Sequence, residues 1–248
     1  MKDKVYFITG ATGAIGGATA KKLDQLGAKL ILCGRDVTKL QTFVAKNLSN
    51  QNHLVLNMNL ENVAEIENSM RVLSDTGMRV DGFVHASGIG EVRPLKMTNP
   101  TFIQKVFNVN FVSFIEITRL LSAAKLRNTS LSVVGVSAIG AFQGNATKTA
   151  YCASKAAMNA AVRCLAIELG NKGVRINTVA PGATRSTMMD DIVSLPNGQA
   201  TLDKISERQF LGICEPEDIA DGIIFLLSDS ARMISGICLP IDGGKLST

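Results

Sequence analysis

Tyr151 and Lys155 are the first candidates for chemistry, because they stand four residues apart in the stretch Tyr-Cys-Ala-Ser-Lys-Ala-Ala-Met. Residues at this spacing lie on one face of an α-helix, so the phenol and the ammonium are expected to be neighbours. An ammonium next to a phenol favours the phenolate and lowers the phenol pKa from its usual value of about 10. Tyr151 could then exchange a proton with a reacting oxygen as a general acid or base.

A glycine-rich segment near the start of the chain has the composition of a phosphate-binding turn. It reads Thr-Gly-Ala-Thr-Gly-Ala-Ile-Gly and lies between the first apolar run and the first amphipathic stretch. A glycine at its second position allows a tight turn, small residues let the backbone approach a pyrophosphate, and a helix start offers unpaired N–H groups. We therefore expect a dinucleotide to contact Thr9, Gly10, Thr12, Ala14, Ile15 and Gly16.

The end of the second predicted strand, Leu32-Cys33-Gly34-Arg35-Asp36, bears on which dinucleotide is bound. A carboxylate at this place bonds the ribose 2′-hydroxyl of NAD(H), whereas a nearby cation accepts the 2′-phosphate of NADP(H). Gly34 occupies the usual acidic position and Arg35 can give a phosphate two charge-assisted bonds, which favours NADP(H) over NAD(H). Asp36 leaves an alternative, since it could pair with Arg35 or reach the hydroxyl itself.

These residues need a scaffold, and the order of patterns along the chain predicts one. Short β-branched runs alternate with amphipathic stretches, and Pro100 and Pro216 fit the first turns of helices. Strands are expected at Val5–Thr9, Leu30–Cys33, Leu54–Leu56, Gly82–His85, Leu131–Val136, Arg175–Ala180 and Ile237–Ile241, and helices at Ile15–Leu26, Leu40–Leu48, 63–76, 101–125, 150–169 and 215–228. The alternation predicts one α/β domain over residues 1–248, a doubly wound, Rossmann-type parallel sheet of about seven strands with helices on both faces.

One connection is unusually long, because about 30 residues from Gly182 to Leu211 separate a strand from the next convincing helix. The segment follows the carboxyl end of a strand, where ligands bind in open sheets. We therefore expect a substrate lid at about residues 183–211, with Met188 and Met189 as apolar contacts. An exposed excursion without a role is the alternative.

Composition excludes several other classes of protein. The 248 residues are 46% hydrophobic and 19% charged, which suits a globular domain that needs no disulfide or metal to hold its core. The five cysteines are scattered without a C-x-x-C pair and fit reduced thiols in a cytoplasmic protein. The net charge of +5 is spread along the chain, so nucleic acid is not an expected partner. No apolar run reaches the ~18 residues of a membrane span or forms a signal-peptide core, so neither a membrane nor export is expected.

Further segments around Tyr151 resemble the short-chain dehydrogenase/reductase family, in the form whose length this chain has. Ser137 ends the preceding strand, Asn110 lies in the helix before that strand, and Asn177-Thr-Val-Ala-Pro-Gly ends the following one. The closing Ile-Asp-Gly-Gly at 241–244 and the helix start Glu-Pro-Glu-Asp-Ile-Ala at 215–220 match as well. The resemblance covers nearly the whole chain and is closest to 3-oxoacyl-carrier-protein reductases.

The resemblance implies a role for each matching residue. Tyr151 would be the general acid or base, and Lys155 would modulate its pKa and bind the nicotinamide ribose. Asn110 would anchor a water-linked proton relay, and Ser137 would hold the substrate oxygen. The cofactor would further contact Gly34, Arg35, Asn59, Leu60, Ala86, Ser87, Gly88, Pro181, Gly182, Thr184 and Ser186.

Three positions depart from the family pattern. Ala14 replaces a customary glycine, so the turn reads as in the longer, epimerase-containing branch, for whose substrate domain this chain is too short. Asn59 stands where an aspartate is commoner and can still accept a hydrogen bond from the adenine amine. His85 replaces an asparagine, and it is either a strand-end side chain bonded to nearby backbone or a proton-transfer group.

The assignment of the serine has two alternatives. The commonest ungapped spacing in the family places it thirteen residues before Tyr151, which falls on Ala138. Ser137 instead fits the usual Ser-x-x-Gly step if the following loop holds one extra residue. Neighbouring strand positions point to opposite faces, so a shift of one residue changes the assignment. We favour Ser137.

Together these features predict an enzyme that interconverts a carbonyl and a secondary alcohol by NADP(H)-linked hydride transfer, with Tyr151 passing the proton. A nucleotide-binding sensor or scaffold without turnover is the alternative, which the intact Tyr151 and Lys155 disfavour. The candidate substrates include fatty acyl chains, among them 3-oxoacyl thioesters, as well as sterols, sugars and small ketones. The resemblance implies a homotetramer, which agrees with more apolar residues than one buried helix face needs, namely Phe102, Val106, Val109, Val112 and Phe114.

Overall fold

A computed structural model describes residues 1–194 and 198–247 of the chain. Its strands are β1 (Val5–Thr9), β2 (Lys29–Gly34), β3 (Leu54–Asn57), β4 (Val80–His85), β5 (Arg127–Val136), β6 (Val174–Pro181) and β7 (Cys238–Ile241). Its α-helices are α1 (Ala14–Gln25), α2 (Val37–Asn47), α3 (Ile66–Thr76), α4 (Pro100–Phe107), α5 (Ser113–Leu121), α6 (Thr149–Gly170), α7 (Thr187–Val193), α8 (Gly198–Arg208) and α9 (Pro216–Leu227). The described strands form one sheet in the order β3-β2-β1-β4-β5-β6-β7.

The sheet is parallel throughout and covered by helices on both faces. Because neighbouring residues of a strand face opposite sides, β1 sends Phe7 into one apolar core and Tyr6 and Ile8 into the other. The first core packs β1 and β4 against α3, α5 and α6, and the Phe7 and Phe83 rings meet edge to face at 5.7 Å between centroids. The second core packs the sheet against α1, α2 and α9. This architecture confirms the predicted doubly wound α/β fold.

The strand order reverses at β1, which lies between β2 and β4. In open parallel sheets, ligands bind in the crevice outside the carboxyl ends of the strands at such a reversal. Thr9 ends β1 and His85 ends β4, and the two are register partners across the pair. The segments that follow them, at 10–16 and 86–89, therefore form the walls of this crevice.

The helix expected at 101–125 is interrupted. Pro100 begins α4 as its first residue, as predicted, but residues Asn108–Val112 form a π-helical turn before α5 begins at Ser113. A π-turn adds a residue to the helical repeat and is common at functional sites. The spacing of its apolar residues is close to that of an α-helix, so the sequence pattern does not reveal it. Asn110 lies at the centre of this turn.

The long connection after β6 contains two helices that the sequence patterns do not predict. They are α7 and α8, and α8 has the mostly polar sequence Gly-Gln-Ala-Thr-Leu-Asp-Lys-Ile-Ser-Glu-Arg, which leaves little apolar period to detect. The predicted lid at 183–211 includes residues 195–197 and the side chain of Met188, which lie outside the described residues. The described side chains of Thr184, Ser186, Thr187 and Met189 line a cavity that also contains Tyr151 and Lys155, which we call the main cavity.

The described residues also bear on membrane insertion, on disulfide formation and on oligomerisation. No described helix is both long enough and apolar enough to cross a membrane. All five cysteines are free thiols. Phe102, Val106, Val109 and Phe114, four of the residues that supported an oligomer, are buried within the subunit itself. Those four side chains therefore supply no contact surface for a second copy.

Candidate active site

Tyr151 and Lys155 lie in the first two turns of α6 and face the same cavity, as their spacing predicts. The Lys155 Nζ atom is 5.8 Å from the centroid of the Tyr151 ring. Lys155 is only 3% exposed, and its Nζ donates a 2.6 Å hydrogen bond to the backbone oxygen of Val136 at the end of β5. The helix α6 is thus fixed to the sheet through its lysine.

Burial sets the ionisation of both groups. It lowers the pKa of Lys155 to about 8 and raises the pKa of Tyr151 to about 12, with the Cys152 thiol adding to the second shift. The spacing of Tyr151 and Lys155 in the sequence predicts a lowered pKa for Tyr151. That prediction is wrong, because it includes the nearby ammonium but not the removal of water by burial. No described residue forms a hydrogen bond with the Tyr151 hydroxyl. Near neutral pH, Tyr151 therefore presents a protonated phenol to the cavity.

Ser137 lies directly after β5, and its hydroxyl is turned toward α6. It is buried, and its Oγ donates to the backbone oxygen of Lys155 at 3.3 Å. No hydrogen bond joins Ser137 to Tyr151 in the described protein. Both Ser137 and Ala138 line the cavity, so the structure leaves Ser137 a prediction.

Asn110 joins three parts of the site. Its Oδ1 accepts a 2.7 Å hydrogen bond from the Ile89 backbone, and its Nδ2 donates to the Ile89 oxygen and to Ser154 Oγ. Ser154 Oγ donates to the backbone oxygen of Tyr151 at 2.7 Å. A side chain at Gly88 would lie 3.5 Å from both Asn110 Oδ1 and Lys155 Nζ. The π-turn therefore holds the loop after β4 against the start of α6.

The glycine-rich turn has the shape that a pyrophosphate requires. Gly10 has φ +72°, and a Cβ on it would lie 2.7 Å from the backbone of Ala86. A Cβ on Gly16 would lie 2.2 Å from the Gly10 oxygen, so the turn can pack this closely on itself and on the loop after β4 only because these residues lack side chains. Gly13 precedes α1 without a capping side chain, and the first turn of α1 holds no acidic residue, so its N–H groups are available to an anion. The turn fits a dinucleotide.

A second cavity of about 290 Å³ continues from this turn along the ends of β2 and β3. It is lined by predicted cofactor residues, namely Gly10, Thr12, Gly34, Arg35, Asn59, Leu60, Ala86, Ser87 and Gly88. Arg35 forms a 2.9 Å ion pair with Glu61, which also approaches Lys105 at 3.4 Å. Asp36 does not pair with Arg35 in the described protein, and its carboxylate accepts a hydrogen bond from the Lys39 N–H and caps α2.

The main cavity has a volume of about 360 Å³ and contains the other predicted contacts. It is lined by Ala14, Ile15, Gly16, Ala86, Ser87, Gly88, Ser137, Tyr151, Lys155, Pro181, Gly182, Thr184 and Ser186, among others. Gly182 closes against Asp242, whose Cα would lie 2.7 Å from a Cβ at position 182. The two cavities share Gly13 and the loop at 86–88, so one elongated ligand can occupy both.

Gln209 supports this wall, and sequence reasoning missed it. It is fully buried at the end of the long connection, where its Oε1 accepts from the Ala183 N–H and its Nε2 donates to the oxygens of Ala183 and Gly212. The two contacts with Ala183 join residues 26 positions apart, so no local pattern could reveal them. Lys148 and Asn145 also line the main cavity and were not predicted, although Lys148 stands only three residues before Tyr151.

His85 is a strand-end side chain bonded to nearby backbone, which is the first of its two expected roles. Its Nε2 donates to the Val109 backbone oxygen at 3.1 Å, so its Nδ1 accepts from the Thr9 hydroxyl at 3.0 Å. Thr9 Oγ1 in turn accepts from the Ser87 N–H. Burial, with a smaller contribution from the Lys155 charge, lowers the pKa of His85 to about 3. The imidazole is therefore neutral and joins β1, β4 and the π-turn.

Comparison with known proteins agrees with this geometry. The family model described as enoyl-(acyl carrier protein) reductase matches residues 10–245. A 3-oxoacyl-[acyl-carrier-protein] reductase of Rickettsia felis is 31% identical over 247 residues, which cover 99% of this chain and 98% of that protein. An L-xylulose reductase of Caenorhabditis elegans is 30% identical over 244 residues, covering 98% and 95%.

Solved structures share the fold over the same length. A 4-hydroxyisoleucine dehydrogenase complexed with NADH has a TM-score of 0.89 at 25% identity and covers 99% of this chain and 100% of that one. A short-chain type dehydrogenase/reductase from Mycobacterium ulcerans has a TM-score of 0.90 at 25% identity, covering 100% and 91%. The matches span the sheet, the glycine-rich turn and the Tyr151–Lys155 helix alike, and they confirm the resemblance found in the sequence. The chain belongs to the short-chain dehydrogenase/reductase family of oxidoreductases.

Proposed function

We propose that the protein is an NADP(H)-dependent oxidoreductase that interconverts a carbonyl and a secondary alcohol, with Tyr151 as the proton donor and acceptor. One observation carries the proposal. The Tyr151 phenol, kept protonated by burial and free of hydrogen bonds to the described residues, faces a cavity that the phosphate-binding turn also lines. A carbonyl compound and a nicotinamide can therefore meet beside one transferable proton.

The chain's own groups perform the proton chemistry. A bound nicotinamide would supply the hydride. The Tyr151 hydroxyl donates its proton to the carbonyl oxygen, which becomes the alcohol oxygen. The ammonium of Lys155, 5.8 Å from the ring centroid, stabilises the phenolate that remains. In the opposite direction the phenolate accepts the alcohol proton, while Asn110 and Ser154 keep the start of α6 in place.

The substrate class is supported by the relatives and by the lid. The Rickettsia relative acts on 3-oxoacyl groups of an acyl carrier protein by its name, and the Caenorhabditis relative acts on a sugar. We propose a 3-oxoacyl compound as the first candidate substrate. The segment at 183–211, through Thr187 and Met189, would cover it as a lid. A sensor or scaffold without turnover is the competing function, and detectable turnover of any carbonyl compound contradicts it.

The preference for NADP(H) depends on Arg35. Its guanidinium lies at the wall of the cavity beside Gly34 and Asn59, and it is paired with Glu61 through one nitrogen, which leaves further N–H donors for a 2′-phosphate. The solved 4-hydroxyisoleucine dehydrogenase holds NADH, so the fold alone does not select NADP(H), and local charges decide between the two forms.

Replacement of Arg35 by alanine tests the cofactor assignment. We expect Arg35→Ala to weaken NADPH binding by about 10- to 100-fold, toward the lower end because the side chain is largely exposed, and to change NADH binding little. Arg71→Ala, which removes an exposed arginine from α3, is the matched control. Fluorescence titration gives both dissociation constants, and a wild type that binds NADH more tightly than NADPH contradicts the assignment.

Replacement of Tyr151 by phenylalanine tests the proton donor. The variant keeps the ring but has no transferable proton, so turnover should fall by about 10²- to 10⁴-fold while NADPH binding persists. Tyr6→Phe, at the other tyrosine of the chain, is the matched control, because Tyr6 is buried in the second core away from the cavity. Steady-state kinetics with NADPH measure the effect. Near-normal turnover in Tyr151→Phe overturns the proposed mechanism.

Replacement of Ser137 by alanine separates the two serine alignments. If its hydroxyl turns from the Lys155 oxygen to the substrate oxygen, turnover should fall by about 10²-fold, as when one preorganised donor is lost. Ala138→Ser is the complementary variant, since it adds a hydroxyl at the other position. An unchanged rate in Ser137→Ala, with a faster rate in Ala138→Ser, assigns the substrate-facing position to 138.

We also propose a homotetramer. Although four of the apolar residues that first supported it are buried in the subunit, Ile167 on α6 is 85% exposed and Met233 after α9 is 86% exposed. Static light scattering at micromolar concentration should give about 106 kDa, four times the 26.4 kDa of the chain. A mass near that of one chain contradicts the proposal.

A further inference from the structure

Lys148 is a second cation in the main cavity, and the proposed proton transfer does not use it. It directly precedes α6, three residues before Tyr151, and its side chain lies half-buried between the main cavity and a smaller neighbouring pocket. Its Nζ is 5.6 Å from the Tyr151 ring centroid, nearly the same distance as that of Lys155. Two ammonium groups therefore flank the ring that holds the reacting proton.

No described acidic residue neutralises Lys148. The described residues that line the main cavity include no aspartate or glutamate. Glu91 shares the smaller pocket with Lys148, but its carboxylate forms a 2.6 Å ion pair with Arg93. The ammonium thus faces the substrate space without a counterion in the described protein.

This position is unfavourable for a lysine by the ordinary rules of folding. Burial lowers the pKa of Lys148, which shows that the surroundings disfavour its charge. The residue also lies at the amino-terminal end of the 22-residue helix α6, where the helix dipole repels a cation and Ser, Thr or Asp is preferred. Thr147, just before it, has φ +67°, a conformation that β-branched residues rarely adopt. A bound anion would offset the cost of the charge.

We propose that Lys148 binds a carboxylate of the substrate, so that the carbonyl compounds reduced at this site are oxo acids. The inference depends on the proposed function and narrows it, because a free 3-oxo acid has the 3-oxoacyl skeleton with a carboxylate where a thioester would be. Asn145 lines the same wall, and its amide can donate a second hydrogen bond. The substrate carboxylate lies on Lys148 and Asn145, and the carbonyl oxygen lies at Tyr151.

The test compares acetoacetate with methyl acetoacetate, which share the reacting carbonyl and differ in charge. The wild type should have the larger kcat/KM for acetoacetate. In Lys148→Met the ratio of the two values should fall by about 10- to 100-fold, mainly through KM for acetoacetate, and Lys148→Arg should restore most of it. Lys125→Met, which removes an exposed lysine far from the cavity, is the matched control and should keep the ratio. Acetoacetyl-coenzyme A forms a third arm that represents the thioester.

Binding is measured independently of turnover. Calorimetric titration of the Tyr151→Phe protein with NADPH and acetoacetate should show binding that is lost when Lys148→Met is added. A melting temperature of Lys148→Met at or above that of the wild type excludes misfolding and agrees with the removal of an unfavourable charge. Failure of all three compounds to react, with Lys148-dependent binding intact, overturns the proposed function and not this inference.

Other outcomes overturn the inference alone. They are an unchanged ratio in Lys148→Met, a wild-type preference for the ester or the thioester over the acid, and acetoacetate binding that does not depend on Lys148. The ester and thioester results would assign uncharged 3-oxoacyl compounds to the site, with Tyr151 as the donor as before.

Discussion

The site is organised around a positive charge that the described protein does not neutralise. Lys155 is almost fully buried, and its Nζ is held by a backbone oxygen, that of Val136, instead of a carboxylate. Burial of a cation without a counterion is costly, which is why the pKa of Lys155 is lowered to about 8. A ligand that brings negative charge removes part of this cost. The folded chain is therefore prepared for an anionic ligand before any ligand binds.

The neutral groups around Lys155 follow from the same constraint. His85 cannot share the interior with a second positive charge, so burial and the Lys155 charge keep its imidazole neutral, with one nitrogen donating to Val109 and the other accepting from Thr9. Asn110 contributes an uncharged amide that fixes the loop after β4 to α6. Because these groups carry no charge, they position the elements of the site without quenching the ammonium. Tyr151 meanwhile stays protonated, since the removal of water outweighs the attraction of the ammonium for a phenolate.

Local chemistry explains which parts of the site can be predicted from the sequence. The Tyr151–Lys155 pair depends on helical spacing, and the glycine-rich turn depends on residues within one short segment, so both are visible as patterns. The alternation of strands and helices likewise predicts the doubly wound sheet. The pairing of Arg35 with Glu61 and the bonds of Gln209 to Ala183 join residues 26 positions apart, and only the fold brings them together. The capping role of Asp36 agrees with its position directly before α2, where aspartate is a preferred residue.

The pKa of Tyr151 shows why even a correctly predicted pair can be misread. Sequence spacing gives the distance between two groups but not the amount of water around them. At Tyr151, burial excludes that water and raises the pKa. The sequence likewise gives no sign that Lys148 lies beside a cavity.

Helix ends support the view that the site is built for negative charge. The helices α2 and α4 have their first N–H groups bonded by the side chains of Asp36 and Asn99. The helices α1 and α6 follow Gly13 and Lys148, which line the main cavity, and neither residue caps its helix through a side chain. Two positive helix ends and two ammonium groups thus converge on one space of about 360 Å³. Helix starts without a side-chain cap and cations without a counterion thus occur together beside this cavity, as expected where a ligand completes the structure.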